Sequence, residues 1–319
     1  MTGSFVISLD FELLWGVRDH ADRQSYGDNV LGARAAIPQM LDLFAENGVS
    51  ATWATVGFLF CESKDELIDA LPTRRPDYAN SALSNYSYLD DVGQNEKTDP
   101  YFFAASLVER IAETPGQEVG THTMSHFYCL EDGATTESFE ADLTAALSLG
   151  HRRGIALKSI VFPRNQFGAA HLDICRQVGL THYRGNPASW AYRAAKGAEQ
   201  TPLRRALRLA DAYTGVLGAH GFVPGGAPFD GAPRNVAASR FLRPRAGRLA
   251  PLHSRHIATI KHGMSAAARN GNGYHLWWHP HNFGKNLDEN IAALRQVVAH
   301  YQSLRDTFAM TSATMSGAP

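Results

Sequence analysis

Two histidines four residues apart form the most informative short motif of this 319-residue chain. His122 and His126 stand in the stretch Thr-His-Thr-Met-Ser-His that covers residues 121–126. On a helical turn, side chains four residues apart share one face at about 5–6 Å, which would let both imidazoles bind one metal ion. Because the chain has 14 histidines, such a pair can also arise by chance. The interpretation therefore depends on the other polar clusters.

A pair of carboxylates follows the first apolar run of the chain. Phe5–Leu9 is rich in strand-forming residues, and Asp10 and Glu12 come directly after it, separated by Phe11. Residues two apart on a strand point the same way, so both acids should face one side of the strand end. Adjacent carboxylates repel unless a cation or a shared proton relieves the repulsion. The pair indicates metal binding or acid–base chemistry, with an exposed acidic strand end as the alternative.

Polar clusters also end two later predicted strands. Arg164 and Asn165 follow the fourth predicted strand, and His279 and His281 follow the last one. Strand parity places His275 on the same face as His279 but deeper. Any of these three histidines is a candidate proton donor, and His281 is also a candidate contact with substrate at the rim.

Strands and helices alternate over the whole length, which predicts a parallel sheet with helices outside it. Every polar cluster falls at the carboxyl end of a predicted strand, where β/α barrels assemble their sites. The first strand is not followed by a G-x-G-x-x-G motif, which argues against a dinucleotide-binding fold. We interpret residues 1–319 as one catalytic domain with loop insertions at about 61–100 and 218–238. The small, polar tail after Thr311 is expected to be frayed.

Composition narrows the classes of partner. The net charge is −1, so a general nucleic-acid partner is not expected. The three cysteines are scattered, which suits a reducing compartment. We expect a cytoplasmic protein without membrane insertion, because neither a secretory leader nor a run of about 18 apolar residues is found. Arginines cluster between Arg204 and Arg255. This cluster is either a solvated face or a site for an anionic group of the substrate. The oligomeric state is left open.

Taken in order, these residues resemble the polysaccharide deacetylases of carbohydrate esterase family 4, the NodB-like group. The resemblance is strongest at the histidine motif and implies an irregular (β/α) barrel of about seven parallel strands. The residues that carry it are Ser8-Leu9-Asp10-Phe11-Glu12, Ala51-Thr52-Trp53 through Gly57, residues 118–126, Phe162-Pro163-Arg164 and Trp277-Trp278-His279.

The resemblance also implies roles for individual residues. Asp10 would be the general base, Arg164 would pair with Asp10 and orient it, and His279 would be the general acid. One divalent ion would be bound by Glu12, His122 and His126. Such a ligand set accepts zinc, which we expect, but also cobalt, nickel, manganese or iron. Substrate contacts are expected from Asn165, Trp278 and His281, with a backbone N–H near Asn165 as a donor to an oxyanion.

Three departures from the family pattern are evident. A residue separates the two acids of the first motif, and the second acid is Glu12 rather than an aspartate. The proline of the third motif precedes Arg164 instead of following it. The acid that tunes the catalytic histidine in the family has no clear counterpart, so a loop residue such as Asp211 or Asp230 would have to take its place.

These residues predict a metal-dependent amide hydrolase, and the resemblance implies that it removes an acyl group, acetyl in the first instance, from an amino sugar. A small or activated sugar is the expected substrate, and the region from Arg204 to Arg245 would then hold its phosphates. One alternative keeps the fold but hydrolyses cyclic ureides or imides, or removes formyl groups. A second alternative is a catalytically inactive, carbohydrate-binding barrel.

Overall fold

The computed structural model describes residues 2–223, 227 and 229–318 of the chain. Within these residues, strands and α-helices alternate, as the sequence predicts. The strands are β1 (Ser4–Phe11), β2 (Ala51–Thr55), β3 (Gln117–Thr121), β4 (Ser159–Ile160), β5 (His182–Tyr183), β6 (Arg234–Asn235), β7 (Arg240–Phe241), β8 (Gly273–Trp278) and β9 (Thr311–Ala313). The helices are α1 (Arg23–Asn47), α2 (Lys64–Asp69), α3 (Ala105–Glu113), α4 (Thr136–Arg152), α5 (Ala169–Gln177), α6 (Pro202–Thr214), α7 (His253–Asn270) and α8 (Leu287–Phe308).

The strands form one curled parallel sheet in the order β6-β5-β4-β3-β2-β1-β8-β7. Strand β9 pairs with β1 outside this order. The described residues of β6 and β7 do not pair with each other, so the sheet is an irregular barrel that stays open between them. The prediction of an irregular α/β barrel is confirmed, although β4 to β7 are only two residues long each.

Strand β1 lies in the middle of the sheet and connects the core to the site. It pairs with β2 along one edge and with β8 along the other. Phe5, Ile7 and Leu9 are fully buried in the main hydrophobic cluster, which fills the space between sheet and helices. Alternation along the strand turns Ser8 and Asp10 to the opposite face, inside the barrel. The same strand therefore anchors the core and carries a carboxylate into the site.

Local signals set the helix ends. Thr201 caps α6 by accepting the N–H of Arg204 at 3.3 Å, and Pro202 occupies the first helical position, as the sequence predicts. Helix α7 ends at Gly271, which adopts the left-handed conformation with φ of 66°. No helix within the described residues is long and apolar enough to cross a membrane.

The tail after Thr311 is ordered, so the expectation of a frayed end is wrong. Its strand β9 pairs with the first half of β1. Met315 is fully buried, and its backbone N–H donates to Thr52 Oγ1 at 2.7 Å. Met315 packs with Val6 and Ala54 in an apolar cluster at the amino-terminal end of the barrel. Burial of these apolar groups explains why a short polar tail is held in place.

The two predicted insertions differ in character. Residues 61–100 contain α2 and several 3-10 turns. Within this segment, buried Asn85 donates to the carbonyl oxygens of Ser125 at 2.8 Å and Trp15 at 3.0 Å. The first insertion therefore supports the histidine motif from outside the barrel. In the second insertion, at about 218–238, residues 224–226 and 228 lie outside the described residues, and its end contains β6.

Candidate metal and active site

The two acids lie at the carboxyl end of β1. Asp10 is the second-last residue of the strand, and Glu12 follows where the chain turns into the 3-10 helix Leu13–Gly16. Both side chains are buried, each at 3% exposure. A Cβ on Gly16 would lie 2.0 Å from the carboxyl carbon of Glu12. The glycine therefore leaves the space in which the Glu12 carboxylate sits.

The histidine motif converges through a loop, not through the helical turn that its spacing suggested. Strand β3 ends at Thr121, and the following residues have no regular structure. Thr123 and His126 adopt positive φ values of 64° and 59°. The N–H of Thr123 donates to Thr121 Oγ1 at 3.0 Å, which helps hold this strained backbone. As a result, the rings of His122 and His126 lie 4.9 Å apart between centroids.

Glu12, His122 and His126 form a buried triad that fits one metal ion. Glu12 Oε2 lies 3.0 Å from His126 Nε2 and 3.3 Å from His122 Nε2. One ligand atom from each residue falls within 4.8 Å of the others. His122 Nδ1 lies 2.8 Å from the carbonyl oxygen of Val161 and donates to it in the neutral imidazole. This bond leaves the Nε2 lone pair facing a carboxylate oxygen, an arrangement that a bound cation would relieve.

The ionisation states of the triad suit metal binding. Burial raises the pKa of Glu12, but the charge of His279 and the contacts with His122 and His126 outweigh it and hold that pKa well below its ordinary value. Burial lowers the pKa of His126, against the opposing effect of Glu12. An ionised carboxylate beside a neutral imidazole is the state that a metal ligand set requires.

Asp10 is held by Arg184, not by Arg164. The guanidinium of Arg184 donates to both carboxylate oxygens of Asp10, at 2.6 and 2.8 Å. It also donates to Ser8 Oγ at 3.0 Å and to Asn165 Oδ1 at 3.2 Å. The expected Arg164–Asp10 pair is therefore wrong. Arg184 directly follows β5, so the rule that sites form at strand ends was a signal that could have identified it.

The pair keeps Asp10 ionised. Burial raises the pKa of Asp10, but the charges of Arg184 and His279 and the hydrogen bond from Arg184 outweigh it, and the pKa falls below its ordinary value. Arg184 is 1% exposed and its guanidinium lies over the indole of Trp277 at 4.1 Å. A bidentate, stacked arginine fixes the orientation of the carboxylate as well as its charge.

Arg164 lies at the rim of the site. Its guanidinium forms an ion pair with Asp19 and lies 4.3 Å from the ring centroid of Tyr128. Arg164 and Asn165 both have positive φ, 52° and 53°, so the turn carries the arginine away from Asp10 and towards Asp19. The N–H of Asn165 donates to the carbonyl oxygen of Phe162 at 2.8 Å within this turn. This N–H is therefore engaged within the turn, and an oxyanion donor from another backbone N–H near Asn165 stays a prediction.

Strand β8 presents His275, Trp277 and His279 inward. His275 Nε2 is 2.8 Å from Ser8 Oγ, and burial lowers the pKa of His275 to about 3, so it does not serve as a proton donor near neutral pH. Trp278 points outward, is fully buried and stacks on Phe283. The expected Trp278–substrate contact is wrong because strand alternation turns that ring into the core.

Of the three candidate proton donors, His279 lies closest to the two acids. Its Nε2 is 3.7 Å from Asp10 Oδ2 and 3.6 Å from Glu12 Oε1. Its Nδ1 lies 3.3 Å from Asn282 Oδ1. An amide oxygen from the next turn thus occupies the place in which we expected a loop carboxylate. His281 stacks on His279 with 5.0 Å between ring centroids and is 3% exposed, so it forms part of the floor rather than the rim.

Neither proposed loop acid reaches His279. Asp211 accepts hydrogen bonds from Tyr192 at 2.8 Å, His220 at 3.1 Å and Arg240 at 3.1 Å. Burial raises the pKa of Asp211, but these partners lower it to about 2. Asp230 is exposed. The expectation that Asp211 tunes His279 is therefore wrong.

The converging side chains surround a cavity of about 430 Å³ at the carboxyl end of the barrel. Its walls combine the predicted metal ligands, both candidate proton-transfer groups and the aromatic side chains of Tyr26, Phe241 and Trp277. The lining includes Asp10, Glu12, His122, His126, Arg164, Asn165, Phe241, Trp277, His279 and His281.

Comparison with known proteins supports the fold at low sequence identity. No protein-family model and no curated protein sequence matches the chain. A Mycobacterium smegmatis protein assigned as a polysaccharide deacetylase has a TM-score of 0.62 at 14% identity, over 99% of this chain and 89% of that one. The allantoinase Puue has a TM-score of 0.56 at 10% identity, over 94% and 83%.

A Pseudomonas aeruginosa PAO1 protein assigned as a polysaccharide deacetylase has a TM-score of 0.55 at 11% identity, over 94% of this chain and 84% of that one. The resemblance to polysaccharide deacetylases is thus confirmed at the level of the fold.

Proposed function

We propose that the protein is a metal-dependent amide hydrolase that removes an acyl group, acetyl in the first instance, from an amino sugar. One observation carries this proposal. A buried carboxylate oriented by Arg184, a histidine 3.7 Å from it and a three-residue metal-ligand set share one cavity. Amide hydrolysis needs a base for water, an acid for the leaving amine and a group that stabilises the oxyanion.

Glu12, His122 and His126 would hold a divalent ion. When bound, such an ion polarises a carbonyl group and lowers the pKa of water. Asp10 is ionised and therefore able to accept the proton of the water that attacks the amide carbon. The bidentate contact with Arg184 keeps both Asp10 oxygens in place while the proton is taken up.

His279 would donate a proton to the departing amine. Its Nε2 faces the acids, and its Nδ1 faces Asn282, so the ring is held with one nitrogen toward the cavity. Trp277 lies beside it and lines the same cavity, where its indole offers an apolar wall for a sugar ring. Protonation matters because an amine anion is a poor leaving group.

The test combines metal content with hydrolysis. Elemental mass spectrometry of the purified protein should give about one equivalent of a transition metal, and His126→Ala should lose it. Asp10→Asn should keep the metal but lose about 10²–10⁴-fold in acetate release from N-acetylated amino sugars. His262→Ala, an exposed histidine on α7, is the matched control and should change neither. No metal after reconstitution with zinc, cobalt or nickel would overturn the proposal.

The second candidate is hydrolysis of a cyclic ureide, supported by the shared fold of the allantoinase. Both reactions cleave a carbon–nitrogen bond and would use the same base and metal ligands. Allantoin and N-acetylated amino sugars should be assayed side by side with the same metal-loaded protein. Ring opening without acetate release would favour the ureide. If the rates of both reactions are the same in Asp10→Asn as in the wild type, an inactive, carbohydrate-binding barrel is favoured.

A further inference from the structure

A second cavity of about 410 Å³ adjoins the catalytic one. Arg164, Asn165, Phe241, Trp277 and His279 line both. The two cavities are therefore immediate neighbours that meet at these five side chains. The arginines that line the second cavity are Arg164, Arg193, Arg205, Arg208, Arg240 and Arg243.

Two of these arginines are neutralised within the protein. Arg164 pairs with Asp19, and Arg240 pairs with buried Asp211. Within the described residues, no carboxylate lies within 4.0 Å of the guanidinium groups of the other four. Residues 1, 224–226, 228 and 319, which the structure does not describe, have no acidic side chain. The uncompensated group consists of Arg193, Arg205, Arg208 and Arg243.

The local arrangement keeps these charges close together. Arg205 and Arg208 lie one turn apart on α6, where like charges at such spacing destabilise a helix. Burial lowers the pKa of Arg208, and the positive charges of Arg204, Arg205 and Arg243 lower it further. An anion in the cavity would relieve this repulsion.

We propose that this second cavity binds a phosphate group of the substrate, so that the amide hydrolysed next to it belongs to a phosphorylated amino sugar. The planar guanidinium group matches the oxygens of a phosphate in a bidentate manner. Four arginines without a carboxylate partner carry more positive charge than a single substrate carboxylate would balance. A phosphate or diphosphate group carries more negative charge and suits them better. The volume lies within the range of small-molecule sites. The sugar part of the inference rests on the proposed function, whereas the anion site does not.

Direct binding tests the anion site alone. Isothermal titration calorimetry with inorganic pyrophosphate should show binding to the wild-type protein. The double variant Arg205→Gln/Arg208→Gln should weaken it at least tenfold, and Arg243→Gln should weaken it independently. Arg248→Gln, an exposed arginine of the same basic region that does not line the cavity, is the matched control. Absence of binding, or equal binding by the double variant and the control, would overturn the anion site.

Kinetics test the link to the reaction. The kcat/KM for N-acetylglucosamine 1-phosphate should exceed that for N-acetylglucosamine at least tenfold, and the double variant should remove this preference. The UDP-linked sugar, run in parallel, distinguishes a diphosphate from a monophosphate. Hydrolysis of both sugars without preference would overturn the phosphate inference and leave the proposed function standing. Pyrophosphate binding without hydrolysis of any amide would overturn the proposed function and leave the anion site standing.

Discussion

Arg184 and Asp10 form a buried bidentate ion pair across the barrel, with N–O distances of 2.6 and 2.8 Å. The arginine follows β5 and the aspartate lies near the end of β1, so the contact joins strands that are not neighbours in the sheet. Desolvated ion pairs are stabilising only when their geometry is good and their remaining donors are satisfied. Here the two terminal nitrogens also donate to Ser8 and Asn165, whereas the buried Nε of Arg184 has no hydrogen-bond partner among the described residues.

Removing this arginine should damage both stability and catalysis. Arg184→Gln leaves the Asp10 carboxylate buried without its counter-ion, which should lower the free energy of unfolding by about 3–5 kcal/mol. Arg184→Lys keeps the charge but loses the bidentate geometry, so it should recover stability more than activity. Urea unfolding and kcat/KM check both effects. Arg164→Gln should lower stability and kcat/KM much less than Arg184→Gln does. Equal losses in the two variants would indicate that Arg164 is the partner of Asp10 after all.

Asn282 should help to orient His279 for proton donation. Its Oδ1 lies 3.3 Å from His279 Nδ1, a contact that holds the ring with Nε2 toward the cavity. Asn282→Ala should therefore reduce kcat, and Asn282→Asp, which keeps an oxygen at this position, should retain more of it. Steady-state kinetics of the two variants measures the effect. A kcat equal to that of the wild type in Asn282→Ala would show that this contact does not position His279.

Buried Asp142 should make stability depend on pH. It accepts hydrogen bonds from the N–H of Met124 at 2.7 Å and from Tyr86 at 3.1 Å, but burial raises its pKa from 3.8 to about 6. Because the folded protein binds this proton more tightly than the unfolded chain, the stabilisation is complete below pH 3.8 and lost as the pH rises through about 6.

Asp142→Asn removes that titration. The free energy of unfolding of the wild type relative to this variant should therefore fall by about 2 kcal/mol between pH 4 and pH 7. Urea unfolding at several pH values measures the difference. A difference that stays constant over this range would contradict the raised pKa of Asp142.

The carboxyl-terminal tail should contribute to global stability. Met315 is fully buried against Val6 and Ala54, so Met315→Ala should cost about 2–5 kcal/mol through the cavity it leaves. Phe308→Ala, at a side chain with 37% exposure, is the control and should cost much less. Thermal unfolding of the two variants compares them. Equal stability of Met315→Ala and the wild type would indicate that the tail frays in solution.

Much of the fold followed from local patterns. Apolar runs and helical spacing predicted the alternation of strands and helices, and the ends of α6 and α7 followed from a threonine cap and a glycine. The short strands β6 and β7 and the strand β9 were missed, because two or three residues carry too little periodicity to be recognised. Their pairing partners lie far away along the chain.

By itself, the sequence determined which strand ends carry Asp10, Glu12, His122, His126 and His279, because strand parity and motif spacing are local properties. Only the tertiary structure decided which arginine meets Asp10, which tryptophan faces the cavity and that Asn282 approaches His279. Arg184 stands 174 residues from Asp10, so their contact depends on the strand order and on which side chains point into the barrel. Those are properties of the assembled sheet, which no single stretch of chain contains.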